Sequence, residues 1–222
     1  MRRTTVKIAM GILLLALLVL PCGARGVEVQ EIIRKVQARY DATDDLTADV
    51  TQEMTIASLA KTTSAHGTVM FKKPGKMRWE LDSEDPQVIV ADGSTLWLYQ
   101  SKEQQVLKTP FDAAFRSTMP ISFLTGVGSL ADDFEAKVVG DTDKTLLYLD
   151  LTPRRNRETL GRLRLAVARD NFDIRSAEVH DQLGNVTLVR FDHIVRNRGI
   201  SDERFVFQPP PGVDVITAPL VQ

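Results

Sequence analysis

The chain has 222 residues, 43% of them hydrophobic, and a formal net charge of −1 from 28 basic and 29 acidic side chains. That length fits one domain with a real core. The near-neutral balance, with no dominant basic patch, excludes nucleic acid as a partner and excludes electrostatic binding to an anionic membrane.

Taken in order, the chain opens on Arg2, Arg3 and Lys7, followed by an apolar run from Ile8 to Leu20. Ala24-Arg25-Gly26 then places small residues at the −3 and −1 positions of a cut after Gly26. This is the pattern of a cleaved secretory signal peptide over 1–26, and the apolar run is shorter than the roughly 20 residues of a membrane span. Cys22 is the single cysteine of the chain and falls within the removed stretch. The preceding Pro21 does not fit the small residue that a lipoprotein signal needs there. The expected mature domain, 27–222, therefore has no thiol chemistry and no disulfide. Removal of four positive charges and no acid takes the formal charge from −1 to −5.

Val29, Ile32, Ile33, Val36 and Tyr40 form one apolar helical stripe, with Glu28 and Glu31 in the first turn. Asp41 to Asp45 ends that helix. Leu46–Ile56 alternates as a strand, Ser58–Thr63 reads as a polar link, and Thr68–Lys72 resumes as strand. Pro74-Gly75 then separates Thr68–Phe71 from Met77–Leu81, and Asp92-Gly93 separates Val88–Val90 from Leu96–Tyr99. Both dipeptides supply the backbone angles of tight turns, so Gly67–Tyr99 reads as a β-meander carrying both tryptophans. Gln104–Lys108 adds a strand. Phe111–Asp133, with Pro120 suited to a helix first turn, reads as short apolar helices that must cover something.

Four further runs have strand length: Leu146–Leu151, Leu160–Ala168, Ile174–His180 and Val186–Ile194. Asp170-Asn171 and Gly184-Asn185 are the turn signals between them. About ten strands turning every 8 to 14 residues predict an antiparallel sheet curled toward a barrel. The two helical pieces would lie on its concave face, over an apolar cavity.

Catalytic patterns are absent. There is no G-x-S-x-G, H-E-x-x-H or phosphate-cradling Gly-rich loop. His66 reads as a solvated turn residue. His180 and His193 do not oppose each other if 180 pairs near 189 about the Gly184-Asn185 turn. No metal site, no cofactor and no enzyme activity are expected. Arg154-Arg155-Asn156-Arg157 reads as a basic hairpin tip. Aromatic residues fill small barrels in any case, so Trp79, Trp97 and Tyr99 read equally well as plain core.

Phe71-Lys72-Lys73-Pro74-Gly75-Lys76-Met77-Arg78-Trp79-Glu80 and Val90-Ala91-Asp92-Gly93-Ser94-Thr95-Leu96-Trp97-Leu98-Tyr99 resemble the outer-membrane lipoprotein carrier family LolA. Pro120–Leu124 is similar to that family's Pro-led hydrophobic helix, and Phe205–Val213 to its Phe-x-Pro-Pro-x-Gly-Val ending. The resemblance runs through essentially the whole of 27–222. It implies a mainly β, α+β fold: an unclosed antiparallel β-barrel of about ten to eleven strands with a helical lid over a hydrophobic cavity. It also implies a monomeric periplasmic chaperone that takes lipoproteins by their acyl chains. The cargo would come from an inner-membrane lipoprotein-releasing ABC transporter and pass to an outer-membrane receptor lipoprotein. The cavity and lid would be built from Phe71, Met77, Trp79, Leu81, Val90, Leu96, Trp97 and Tyr99 with Phe115, Met119, Ile121, Phe123 and Leu124.

The same resemblance makes Lys73 the latch that hydrogen-bonds lid backbone carbonyls. The best-known members carry Arg there, and lysine lacks its planar fork. Met77 stands where the family often has Phe. Two other readings of the residues stay open: a carrier of another lipid or hydrophobic ligand on the same fold, and a non-catalytic periplasmic interaction or sensor domain.

Overall fold

The computed structural model describes residues 24–111, 128–140, 143–155 and 160–217. Its first element is helix α1, Ala24–Asp41. The helix starts a turn ahead of Glu28, so that residue and Glu31 are not in its first turn. The predicted stripe is the face it buries: Ile32, Ile33, Val36 and Tyr40 are all in the core, and Val29 packs against it.

Among the described residues twelve strands follow, one more than the upper expectation: β1 (Asp45–Ile56), β2 (Lys61–Lys72), β3 (Lys76–Asp82), β4 (Gln87–Asp92), β5 (Thr95–Gln100), β6 (Gln105–Pro110), β7 (Phe134–Val139), β8 (Leu146–Pro153), β9 (Leu160–Ala168), β10 (Ile174–Asp181), β11 (Val186–Arg196) and β12 (Asp214–Thr217). They form a single sheet in the order β12-β6-β5-β4-β3-β2-β1-β11-β10-β9-β8-β7. Its two edges, β12 and β7, do not pair, so the barrel is unclosed. The neighbours are antiparallel except β12, which runs parallel to β6. That strand was not expected. It is four residues long and exposed, so no buried alternation marks it.

The turn chemistry acts as the sequence foretells. Gly75 (φ +67°) and Gly93 (φ +96°) supply the left-handed corners of the two hairpins. The Asp92 carboxylate accepts from the backbone N–H of Ser94 and of Thr95, each at 2.8 Å. Burial pushes that carboxyl up, but these bonds outweigh it and hold it below the ordinary range.

Three local readings are corrected. Residues 61–63 are strand and not link: Thr62 and Thr63 pair with Thr55 and Met54, and the Thr55 and Thr62 hydroxyls bond at 2.9 Å. His66 therefore lies mid-strand, opposite Thr51 and Asp82. His180 pairs with Val186 and not near 189, because Asp181 closes the turn itself, accepting from the N–H of Leu183 and Asn185. Of the apolar middle segment, the described part is Phe111, which is buried in the core, and 128–133, which holds helix α2, Leu130–Asp133, capped by the Ser129 hydroxyl. Leu130 is buried, and its N–H donates to the Gln37 side chain on α1.

Candidate functional site

Strand pairing decides which predicted residues share a face. Phe71 pairs with Met77, Met77 with Ala91 and Ala91 with Leu96, while Val69 pairs with Trp79 and Trp79 with Ile89. Directly opposed residues point to the same side. Phe71, Met77, Trp79, Leu81 and Leu96 thus line one face, and all five are buried in the core cluster with α1, Leu149, Leu163, Leu165 and Phe191.

Val90, Trp97 and Tyr99 do not join them. Val90 pairs with Arg78 and Trp97, and Tyr99 with Val106, on the opposite face. The period of two places them there whatever their hydrophobicity. The tail covers that back face: Phe207 lies 6.1 Å from the Trp97 ring and 6.3 Å from the Tyr99 ring, and Phe205 is buried beside it. Phe115, Met119, Ile121, Phe123 and Leu124 lie outside the described residues, as do 1–23.

The concave face expected to bound a cavity is occupied by α1. A separate hollow of about 500 Å³ lies along the other side of that helix, lined by Glu31, Arg34, Gln37, Asp41, Ile33 and Ala131 among others. Its charged rim is not the surroundings an acyl chain needs, so the apolar face under α1 is the better candidate.

Among the described residues several polar ties hold α1 against the sheet; one is Lys35 Nζ, 5.3 Å from the centre of the Phe172 ring in the β9–β10 turn, and four more lie toward its C-terminal end. Lys73 Nζ donates to the carbonyls of Tyr40 at 2.6 Å and Asp41 at 3.0 Å, at the C-terminal end of the helix. The Tyr40 carbonyl also accepts from the Thr43 N–H just past the helix, at 3.1 Å, and a cation there meets the negative end of the helix dipole. Lys73 reaches that point because its own N–H donates to the Asp44 carbonyl, fixing the turn under the helix end. The carbonyls belong to α1 and not to the midchain segment.

The second tie is the Tyr40 hydroxyl, which accepts from the Ile174 N–H at 3.1 Å; burial pushes its phenol above the ordinary value. The third is Asp173, a buried carboxylate bonded by Arg39 at 2.8 Å and by Arg196 at 3.0 Å. Arg196 also lies 5.5 Å from the centre of the Tyr40 ring, the fourth tie.

Sequence reading missed these partners, since 134 residues separate Arg39 from Asp173. It also missed Asp45, whose buried carboxylate accepts from the N–H of Arg198, Gly199 and Ile200 and so anchors the start of the tail. Burial raises its pKa, but those three donors bring it below the ordinary value. Beside it, Lys72 and Lys76 clamp Asp202, at 2.6 and 2.7 Å. Among the described residues no cluster of three or more His, Cys, Asp or Glu side chains is placed to hold a metal.

At the centre of the face is Trp79, with Phe71 edge-on at 6.4 Å and Phe191 at 6.3 Å. Its indole Nε1 is buried and has no hydrogen-bond partner among the described residues.

The family model described as outer membrane lipoprotein carrier protein LolA matches residues 41–208. An outer-membrane lipoprotein carrier protein of Dechloromonas aromatica is 31% identical over 174 residues, spanning 78% of this chain and 82% of that one. One from Neisseria meningitidis serogroup C is 33% identical over 174 residues, spanning 78% and 81%. Among solved structures, an uncharacterized conserved protein from Thermus thermophilus shares the fold at TM-score 0.53 and 13% identity, over 85% of this chain and 98% of that one.

Proposed function

We propose that this chain, which belongs to the LolA family of outer membrane lipoprotein carrier proteins, works in the periplasm, holding lipoproteins by their acyl chains on the way to the outer membrane. The expected signal peptide, 1–26, would export it, leaving 27–222 as one carrier domain. Cargo would be received from an inner-membrane releasing transporter and passed to an outer-membrane receptor, without a catalytic step.

The observation that carries this reading is the Lys73 grip on the α1 carbonyls above a continuous apolar face. Burying one CH₂ is worth about 0.8 kcal/mol, so a long acyl chain brings on the order of 10 kcal/mol of gross transfer. A carrier must give most of that back on delivery. Displacing α1 from that face sets the loss of its packing against the gain, leaving a small net affinity. In this reading Phe71, Met77, Trp79, Leu81 and Leu96 meet the acyl chains, Phe115, Met119, Ile121, Phe123 and Leu124 form the lid, and Lys73 favours the closed state.

The test is native mass spectrometry of the protein purified from a periplasmic extract. Triacylated polypeptide in the complex supports the reading. Free lipid alone, or no amphiphile with no uptake of a hydrophobic dye, overturns it.

A further inference from the structure

Among the described residues, Trp79 Nε1 is a strong donor without an acceptor in the middle of a packed apolar face. Buried indole N–H groups ordinarily find a partner, and an orphan is costly to keep. Rotation does not relieve this one, since the ring is held edge-on between Phe71 and Phe191 and is 4% exposed. The polar groups at the end of α1 have partners of their own. The Tyr40 hydroxyl holds the Ile174 N–H, and Lys73 holds two helix carbonyls.

An acyl chain brings the complementary fault. Its ester or amide carbonyl must shed water to follow the hydrocarbon under the helix, and Phe71, Met77, Leu81 and Leu96 offer it no N–H or O–H donor. We infer that Trp79 Nε1–H is the recognition point for the acyl carbonyl, so that the site selects esters and amides over hydrocarbon chains lacking that group. The inference rests on the carrier function proposed above and adds the chemical group that this residue reads.

The experiment displaces the dye bis-ANS from the purified protein with methyl laurate and, separately, with dodecyl methyl ether, whose oxygen is the weaker acceptor. The wild type should bind the ester about fivefold tighter, the worth of one net hydrogen bond. Trp79→Phe keeps an aromatic ring and removes the donor. Whatever it does to overall affinity, it should lose the ester preference, the ester-to-ether affinity ratio falling from about five to about one. Equal weakening toward both probes, or a preference that survives the substitution, overturns the inference and leaves the carrier reading intact. Displacement by neither probe overturns both.

Should Trp79→Phe not fold, the wild type still decides. The Trp79 indole ¹⁵N–¹H resonance, identified against a Trp97→Phe variant, should move downfield with the ester and not with the ether. A resonance indifferent to the ester overturns the assignment.

Discussion

Lys73→Met keeps the aliphatic stem and removes the donor, so it isolates the tie at the end of α1. The bond to the Tyr40 carbonyl is half-buried and charge-assisted, contributing about 1.5 kcal/mol. The bond to the Asp41 carbonyl is exposed, and solvent screens it to about 0.5 kcal/mol. Together about 2 kcal/mol of preference for the seated helix disappears, which multiplies the open population about 30-fold. Amide hydrogen exchange over 33–41 reads that population directly, provided closing is faster than exchange. Lys73→Arg should restore protection, because the guanidinium fork can span both carbonyls. Dye uptake should rise in Lys73→Met, and delivery of cargo should slow, since the loaded state no longer competes with a latched empty one. Unchanged exchange across 33–41 in a folded Lys73→Met protein would refute the assignment of Lys73 to the helix end.

Gly67→Ala should destabilise the protein by about 3 kcal/mol or more, seen as a fall in the urea midpoint. A Cβ there would sit 1.8 Å from the Glu80 carbonyl oxygen, a backbone atom that cannot step aside. Asp173→Asn leaves Arg196 buried without its counter-charge and should cost about 3 kcal/mol, with α1 exchanging faster than β8 and β9. In acid, the tail should leave first. Lys72 and then Lys76 hold the Asp202 carboxyl at about 2, below its ordinary 3.8. A depressed carboxylate stabilises the fold above the unfolded value, and that contribution is lost as pH falls from 3.8 to about 2. Asp45, shifted in the same direction, adds to the loss. Trp97 fluorescence in a Trp79→Phe background should change over that window as Phe207 departs; a flat signal there would contradict the clamp.

The parts of the fold that were legible are those whose cause is local. Pro74-Gly75 and Asp92-Gly93 dictate their hairpins through backbone angles that few other residues adopt, and the α1 stripe follows from the helical period. What was missed has a distant or exposed cause. Residues 61–63 join β2 through threonine pairs in solvent, which hydropathy does not register. The 180–186 pairing depends on Asp181 folding its carboxylate over a longer turn than Gly184-Asn185 alone implies. Trp97 and Tyr99 were grouped with Trp79 because each looks like a cavity wall in isolation. Only the strand register, together with a tail more than a hundred residues on in sequence, separates the two faces. Lys73 came from family resemblance, while Asp173 and Arg196 have no local signature at all.

The way α1 is fastened has a consequence for how loading must proceed. Its apolar stripe is buried in the core, and its hydrogen-bonded ties gather near the C-terminal end: Lys73 at Tyr40 and Asp41, Arg39 at Asp173, and Tyr40 at Ile174, with Lys35 over the Phe172 ring in mid-helix. Toward the other end, Ile32 and Ile33 are held by packing, which is non-directional and can be exchanged for a hydrocarbon chain of similar volume. In the proposed carrier reading, acyl chains that enter beneath the N-terminal half would therefore replace like with like. Those that pass the Lys73 grip must break charge-assisted bonds without an equivalent return, unless a carbonyl of the cargo meets Trp79. On that reading the free-energy cost of loading would rise along the helix, and with it the tendency to expel the cargo in the direction from which it entered.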